Sequence, residues 1–167
     1  MAIIIRQWTD KDLNNLVCFA NNIHVWNNLR NYFPNPYTEA DGISWLEKMK
    51  NDSPIVNLAI EMDGQAIGGI GLILNTDVYQ YSAELGYWLG EPYWNKGIGT
   101  EAVRQMVEYC FYYFDIVRIY AEVFETNKAS MRILEKNGFY LEGVRRKAVC
   151  KNAVLMDDYI WVKLRTG

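Results

Sequence analysis

Histidine is nearly missing from this sequence, and His24 is the only one. A metal site built on several histidines is therefore excluded. A Ser-His-Asp triad would have to run through that one residue, with no G-x-S-x-G elbow to present the serine. Cysteine is scarce as well: Cys18, Cys110 and Cys150 are far apart and form no CxxC pair. That pattern supports neither a disulfide framework nor a zinc site and suits a reducing compartment. Positive charge is not in excess, since 17 Lys and Arg against 20 Asp and Glu leave a net charge of -3. Binding a duplex takes many cations to displace counterions from phosphates, so nucleic acid is not the expected partner. The local cluster Arg145-Arg146-Lys147 reads as a solvated strand or turn before it reads as an anion site. Long apolar runs are lacking: Ala66 to Leu74 falls far short of the ~20 residues that span a bilayer. Met1 to Arg6 has neither the basic nor the apolar region of a signal peptide. Repeats and low-complexity tracts are missing too. With 50% hydrophobic and 22% charged residues, the expectation is one soluble, cytoplasmic domain spanning 1–167 with no membrane partner.

What is present has a clear order. Ile3 to Gln7 reads as a short strand, and Thr9-Asp10 offers a helix start ahead of Leu13, Leu16, Val17 and Ala20. Pro34, Asn35 and Pro36 break the chain before a second helix beginning at Thr38, which turns Ile43, Leu46 and Met49 inward. Asn57 to Met62 and Gln65 to Leu74 read as strands joined by Asp63-Gly64, a two-residue hairpin signal. From Tyr81 to Leu89, Ala83, Leu85 and Tyr87 alternate with Ser82, Glu84 and Gly86, which predicts the third strand of an antiparallel meander. A long helix follows Gly99, with Val103, Met106, Val107, Cys110, Phe111 and Phe114 on one stripe. Glu101, Arg104, Gln105 and Glu108 fall on its other side. Arg118 to Val123 returns as a strand, and a helix from Lys128 ends at Asn137-Gly138. Strands at Leu141 to Cys150 and Leu155 to Leu164 close the chain. This order predicts a mixed α/β fold rather than a regular βαβ repeat.

The junction before the long helix, Trp94-Asn95-Lys96-Gly97-Ile98-Gly99-Thr100-Glu101-Ala102, is the most informative segment. Glycines there let main-chain N–H groups converge without side-chain obstruction, and the helix start favours an anion, naturally a pyrophosphate. Gly97 to Ala102 fits G-x-G-x-x-A, the dinucleotide fingerprint. That motif should follow its strand at once, whereas here a segment with Pro92 intervenes, and too little chain remains for a doubly wound sheet. A P-loop fails because Asn95 and Gly97 stand where G-K-[ST] needs Gly and Ser or Thr.

The third reading is a resemblance. The segment resembles the coenzyme A pyrophosphate loop of the GNAT acyltransferases, although Trp94 replaces the Gln or Arg that opens the general pattern. It is similar to the W-x-K-G-x-[G/A]-T-E-A of the Rim-type ribosomal-protein N-acetyltransferase branch. Asn127-Lys128-Ala129-Ser130 with Glu135-Lys136-Asn137-Gly138-Phe139, and Ala83-Glu84-Leu85-Gly86-Tyr87-Trp88-Leu89, resemble two further motifs of that branch. The resemblance covers Ile3 to Leu164 and implies a mixed, mostly antiparallel, seven-stranded splayed sheet with about four helices. It implies acetyl-CoA as cosubstrate, no metal, and an amine acceptor, either a protein N-terminus or a small molecule. A homodimer is left open.

The same resemblance implies the site. Trp94, Asn95, Lys96, Gly97, Ile98, Gly99 and Thr100 would hold the pyrophosphate, and main-chain groups of Leu85, Tyr87 and Val123 would pair with the pantetheine arm, with Asn127 and Ser130 beside it. Transfer from a thioester needs a neutral amine, a donor for the tetrahedral intermediate, and alignment. Amines with pKa values of ~8 to ~10.4 must lose a proton first. Glu84, on the small polar face of its strand, is the candidate base, with recognition of a cationic amine or plain exposure as alternatives. Many GNAT enzymes place a Tyr where this chain has Leu134, so Ser130 becomes the candidate acid, with a role in capping its helix as the alternative. Tyr87, Trp88, Tyr93 and Trp94 either wall the acceptor pocket or pack on the sheet, packing being the reading preferred for Trp94. His24-Val25-Trp26 and Tyr32-Phe33-Pro34 lie in the region that lines the acceptor side in this family. Two other functions compete: a non-catalytic acyl-CoA sensor, and a Rossmann oxidoreductase.

Overall fold

The computed structural model describes residues 2–167. Seven strands, β1 (Ile3–Arg6), β2 (Asn57–Met62), β3 (Gln65–Leu74), β4 (Ser82–Leu89), β5 (Arg118–Phe124), β6 (Tyr140–Lys151) and β7 (Val154–Leu164), form one sheet of order β1-β2-β3-β4-β5-β7-β6. Five α-helices accompany them: α1 (Leu13–Ala20), α2 (Ile23–Trp26), α3 (Glu39–Met49), α4 (Ile98–Tyr113) and α5 (Lys128–Lys136). The pairs β1–β2, β2–β3, β5–β7 and β6–β7 are antiparallel, and β4–β5 is parallel. That arrangement is incompatible with the doubly wound parallel sheet of a Rossmann domain.

The chain divides into two compact units, one made of the residues up to Gly71 with Tyr87–Ala102, the other of Leu72–Gly86 with Val103–Gly167. In the first, Asp63 and Gly64 take φ values of 51° and 80° and close the β2–β3 hairpin as the Asp-Gly pair predicts. Thr38 caps α3: its hydroxyl accepts the Asp41 N–H, and the Asp41 carboxylate accepts the Thr38 N–H at 2.8 Å. This is the reciprocal capping box. Leu16, Ala20, Tyr37 and Leu46 form a buried cluster, packed by Trp8, Leu13, Val17, Phe33, Trp45 and Trp88. Ile43 is not part of it and is 46% exposed. Buried Gly42 takes the inward position instead, its α-carbon lying so close to Leu13 and Val17 that a β-carbon would stand 2.8 Å and 2.9 Å from their methyls. The extra helix beyond the expected number is α2, a single turn whose Asn22 cap accepts from His24 N–H at 2.8 Å. Four residues carry no period to detect. At the start of the chain, Arg6 makes two 2.8 Å bonds to the buried Asp12 carboxylate and a further ion pair with Glu61, tying β1 to β2 and to the entry of α1.

In the second unit, Val103, Met106, Val107 and Cys110 are buried along α4, as the stripe predicts. Burial pushes the Cys110 thiol up to about 11, slightly offset by Arg165, so this cysteine is an inert core residue. Ile119, Ala121 and Val123 on β5, Leu134 on α5, and Trp161 and Val162 on β7 are buried too. The C-terminal end is held by Arg165, which donates to the carbonyls of Ile116 at 2.9 Å and Phe114 at 2.7 Å. Among the described residues no helix is long and apolar enough to cross a membrane.

Candidate active site

The glycine turn belongs to the first unit. Gly90 N–H donates to Ile67 O at 2.8 Å, and the Trp94 indole N–H donates to Leu89 O at 2.7 Å, so the chain leaving β4 is stapled at both ends. The Trp94 indole is thereby tied to the end of β4. Asn95 then takes φ 60° and Gly97 takes φ 76°, left-handed values that Gly and Asn tolerate best. The helix begins at Ile98 and takes in Gly99, which was expected to precede it, because first-turn residues need no i−4 partner to adopt helical angles. Among the described residues, the main-chain N–H groups from Asn95 to Gly99 donate no hydrogen bond. Asn95, Lys96 and Gly97 are exposed, Ile98 and Gly99 are buried, and Thr100 is half-buried. A cavity of about 430 Å³ opens beside the turn, lined by Ala2, Ile3, Lys96, Gly97, Ile98 and Glu101. Lys96 reaches over the Tyr93 ring at 5.9 Å, and Tyr93 meets Phe19 edge-on at 5.3 Å. The segment thus offers unbonded donors and a cation at a helix start, which suits a phosphate.

Also in this unit is a network that sequence reading missed. Glu91 Oε2 contacts His24 Nδ1 at 2.7 Å and accepts from Asn22 Nδ2 at 3.0 Å. These bonds, His24 first, hold the Glu91 carboxyl below the usual range. Of the aromatics expected at the acceptor side, Phe33 and Trp88 pack on each other at 6.0 Å within the core cluster. Trp26 donates to Phe33 O at 2.9 Å, Tyr87 is half-buried, and Tyr32 is exposed.

In the second unit, β4 and β5 pair over three positions, Ser82↔Arg118, Ala83↔Ile119 and Glu84↔Tyr120. The parallel ladder stops there, while β5 stays paired to β7 as far as Phe124↔Asp158. Glu84 stands at the last rung of this ladder, half-buried between the buried Ala83 and Leu85, on the face predicted for it. Tyr120, opposite Glu84, accepts a hydrogen bond from Asn75 Nδ2 at 3.2 Å and lies under the Arg118 guanidinium at 5.5 Å. Val123 is buried on β5. Asn127 caps α5, its Oδ1 accepting from Ser130 N–H at 3.2 Å, and Leu134 is fully buried, far from any proton-donating role. The Arg145-Arg146-Lys147 cluster is an exposed stretch of β6, as expected, and its arginines are paired: Arg145 with Glu122 at 2.8 Å and with Asp158, and Arg146 with Asp157 at 2.8 Å. Each unit therefore gathers its own share of the expected residues, Trp94 to Thr100 in one turn and Asn127 with Ser130 in another.

Residues 2–140 match the acetyltransferase (GNAT) domain family. The chain is 41% identical over 98 residues to the "Probable N-acetyltransferase YjcK" of Bacillus subtilis (strain 168), a match covering 59% of this chain and 54% of that protein; the matched stretch thus spans about half the length of that relative. Among solved structures, the microcin C7 self-immunity acetyltransferase MccE, determined with acetyl-CoA and AMP, superposes with a TM-score of 0.83 at 25% identity, covering 98% of this chain and 92% of that one. The ribosomal-protein-S5-alanine acetyltransferase of Vibrio fischeri shares the fold, with a TM-score of 0.83 at 20% identity over 98% of this chain and 93% of that one.

Proposed function

This chain belongs to the GNAT acetyltransferase family, and from that premise we propose that it acetylates a primary amine, either the N-terminus of a protein or a small molecule, in the cytoplasm. Acetyl-CoA-dependent acetyl transfer is the chemistry of the family. An alanine of ribosomal protein S5 is the acceptor named for the Vibrio fischeri protein of the same fold, which supports a protein acceptor. The whole chain, 1–167, is read as one acetyltransferase domain, because β7 extends the sheet beside β5 beyond the matched residues.

The observation that carries the reading is the run of main-chain N–H groups from Asn95 to Gly99, at the start of α4, that find no acceptor among the described residues. Donors already oriented and free of internal partners bind a diphosphate without reorganisation. In this reading Lys96 adds a cation, Thr100 lies at the helix side of the loop, and main-chain groups of Leu85, Tyr87 and Val123 take the pantetheine amides. Asn127 and Ser130 lie beside the thiol.

The reaction then asks little of the protein. The amine nitrogen attacks the thioester carbonyl carbon, and its proton passes to Glu84 directly or through water. The tetrahedral intermediate collapses with cleavage of the C–S bond, and the thiolate takes a proton from Ser130 or from solvent. The residue expected to supply that proton in many relatives is here a core leucine, Leu134.

The test is acetyl-CoA consumption against a panel of alanine- and serine-initiated peptides, amino acids and diamines, with Glu84→Gln alongside. The variant should lose roughly 10²-fold in kcat at unchanged coenzyme affinity, the usual contribution of a positioned base. Tight coenzyme binding with no transfer to any amine would instead identify an acyl-CoA sensor.

A further inference from the structure

The edge hairpin of the second unit contains an irregularity that none of the roles above uses. The β6–β7 register runs to Arg145↔Asp158 and resumes at Val149↔Met156, so Arg146, Lys147 and Ala148 face the single residue Asp157. Lys147 is left at φ 52°, unfavourable for a residue with a side chain. Bulges of this kind break a ladder and redirect a side chain, and they gather near active sites.

The residue that faces this bulge is Asp157. Its Oδ1 accepts the Lys147 N–H at 2.9 Å, and its Oδ2 accepts from Arg146 at 2.8 Å. Its main chain engages Glu125, the first residue beyond β5. Glu125 N–H donates to Asp157 O at 3.0 Å, and Asp157 N–H donates to the Glu125 carboxylate at 2.9 Å. Had β5 continued, a main-chain carbonyl would have taken that last N–H. A side-chain carboxylate takes it instead, which satisfies the donor and frees the backbone to turn. The turn closes at once: Asn127 N–H donates to Phe124 O at 2.8 Å, and Asn127 Oδ1 holds the Ser130 N–H. Hydrogen bonds thus run from the bulge to Glu125, and the main chain of Phe124 and Glu125 carries the connection on to the turn at the start of α5.

We propose that Glu125 and Asp157 are positioning residues for the coenzyme: clamped by the β6 bulge, they set the angle at which the β5–α5 turn presents Asn127 and Ser130. Neither touches the substrate. The inference rests on the reading above of Asn127 as a coenzyme contact.

Calorimetric titration of the full chain with coenzyme A tests it, thermal melts reporting on folding. Glu125→Ala should bind about tenfold more weakly, the scale of one lost hydrogen bond. Glu125→Gln, which keeps an acceptor oxygen, should bind like the parent, and Glu125→Asp, which keeps the charge but not the reach, should resemble the alanine variant. Because the effect travels through Asn127, the Glu125→Ala/Asn127→Ala double variant should bind no more weakly than Asn127→Ala alone. Parental affinity in Glu125→Ala and Glu125→Asp, or additive losses in the double variant, overturns the positioning role by itself. Parental affinity in Asn127→Ala overturns the assignment of the turn as a coenzyme contact, and the positioning role with it.

Discussion

Gly97 sits at φ 76°, and among the described residues nothing but its chain neighbours lies within 4 Å of the place a β-carbon would occupy, so the constraint on it is backbone conformation and not room. Gly97→Ala should therefore fold, while the turn relaxes away from the left-handed region at a cost of about 1–2 kcal/mol. The N–H groups it presents would lose their convergence, and the KM for acetyl-CoA should rise about five- to tenfold with little change in kcat; steady-state kinetics at saturating acceptor check this. Asn95, at φ 60°, shares the strain, and the sequence marks it only weakly, since Asn is also common in ordinary turns. The position of Glu84 was legible from alternation alone, because Ala83 and Leu85 are buried on either side of it. Its place at the last rung of the β4–β5 ladder was not, since that depends on where a strand distant in the chain ceases to pair.

Elements are held by a few local devices whose worth can be measured one at a time. Thr38 and Asp41 close the capping box of α3. Thr38→Ala should cost about 1 kcal/mol, a fall of about 2–4 °C in Tm for a chain of this size. The tie between β1 and α1 is of another kind, because Asp12 is 5% exposed and bonded to Arg6. Burial pushes the Asp12 carboxyl up, but the bonds from Arg6 and from Thr9 outweigh it and leave the carboxyl below its ordinary 3.8. A depressed folded value means that this pair stabilises above pH 3.8 and that its contribution is lost as pH falls through the folded value. Asp12→Ala strands a half-buried guanidinium that keeps the Glu61 carboxylate and the Gln7 carbonyl, and should cost about 2–4 kcal/mol at neutral pH. The penalty should shrink toward zero in acid-titrated urea melts; an unchanged penalty at low pH would show that packing and not charge holds the site.

For the whole molecule, ligand linkage gives the most direct reading of identity. A partner bound only by the native state at a hundred times its Kd adds about 2.7 kcal/mol, or roughly 5–10 °C in Tm. Coenzyme A and acetyl-CoA should both produce that shift, and NAD should produce none. The net charge of -3 bears on this only through the local cation Lys96, so moderate salt should weaken the coenzyme effect without abolishing it.

The sequence by itself determined the succession of elements apart from α2, the β2–β3 hairpin, the Thr38 start of α3 and the location of the glycine turn. Each of these is decided by residues within about four positions of one another, through periodicity, capping and φ preference. Tertiary structure alone decided that Ile43 faces solvent while Gly42 is buried, that Arg145 and Arg146 are spent on carboxylates rather than open to an anion, and that His24 meets Glu91, 67 residues away. It also decided that Asp157 reaches Glu125 across 32 residues. Such pairings depend on how strands register and stop, and no short window of sequence carries that information, because the energy that fixes register is summed over whole faces.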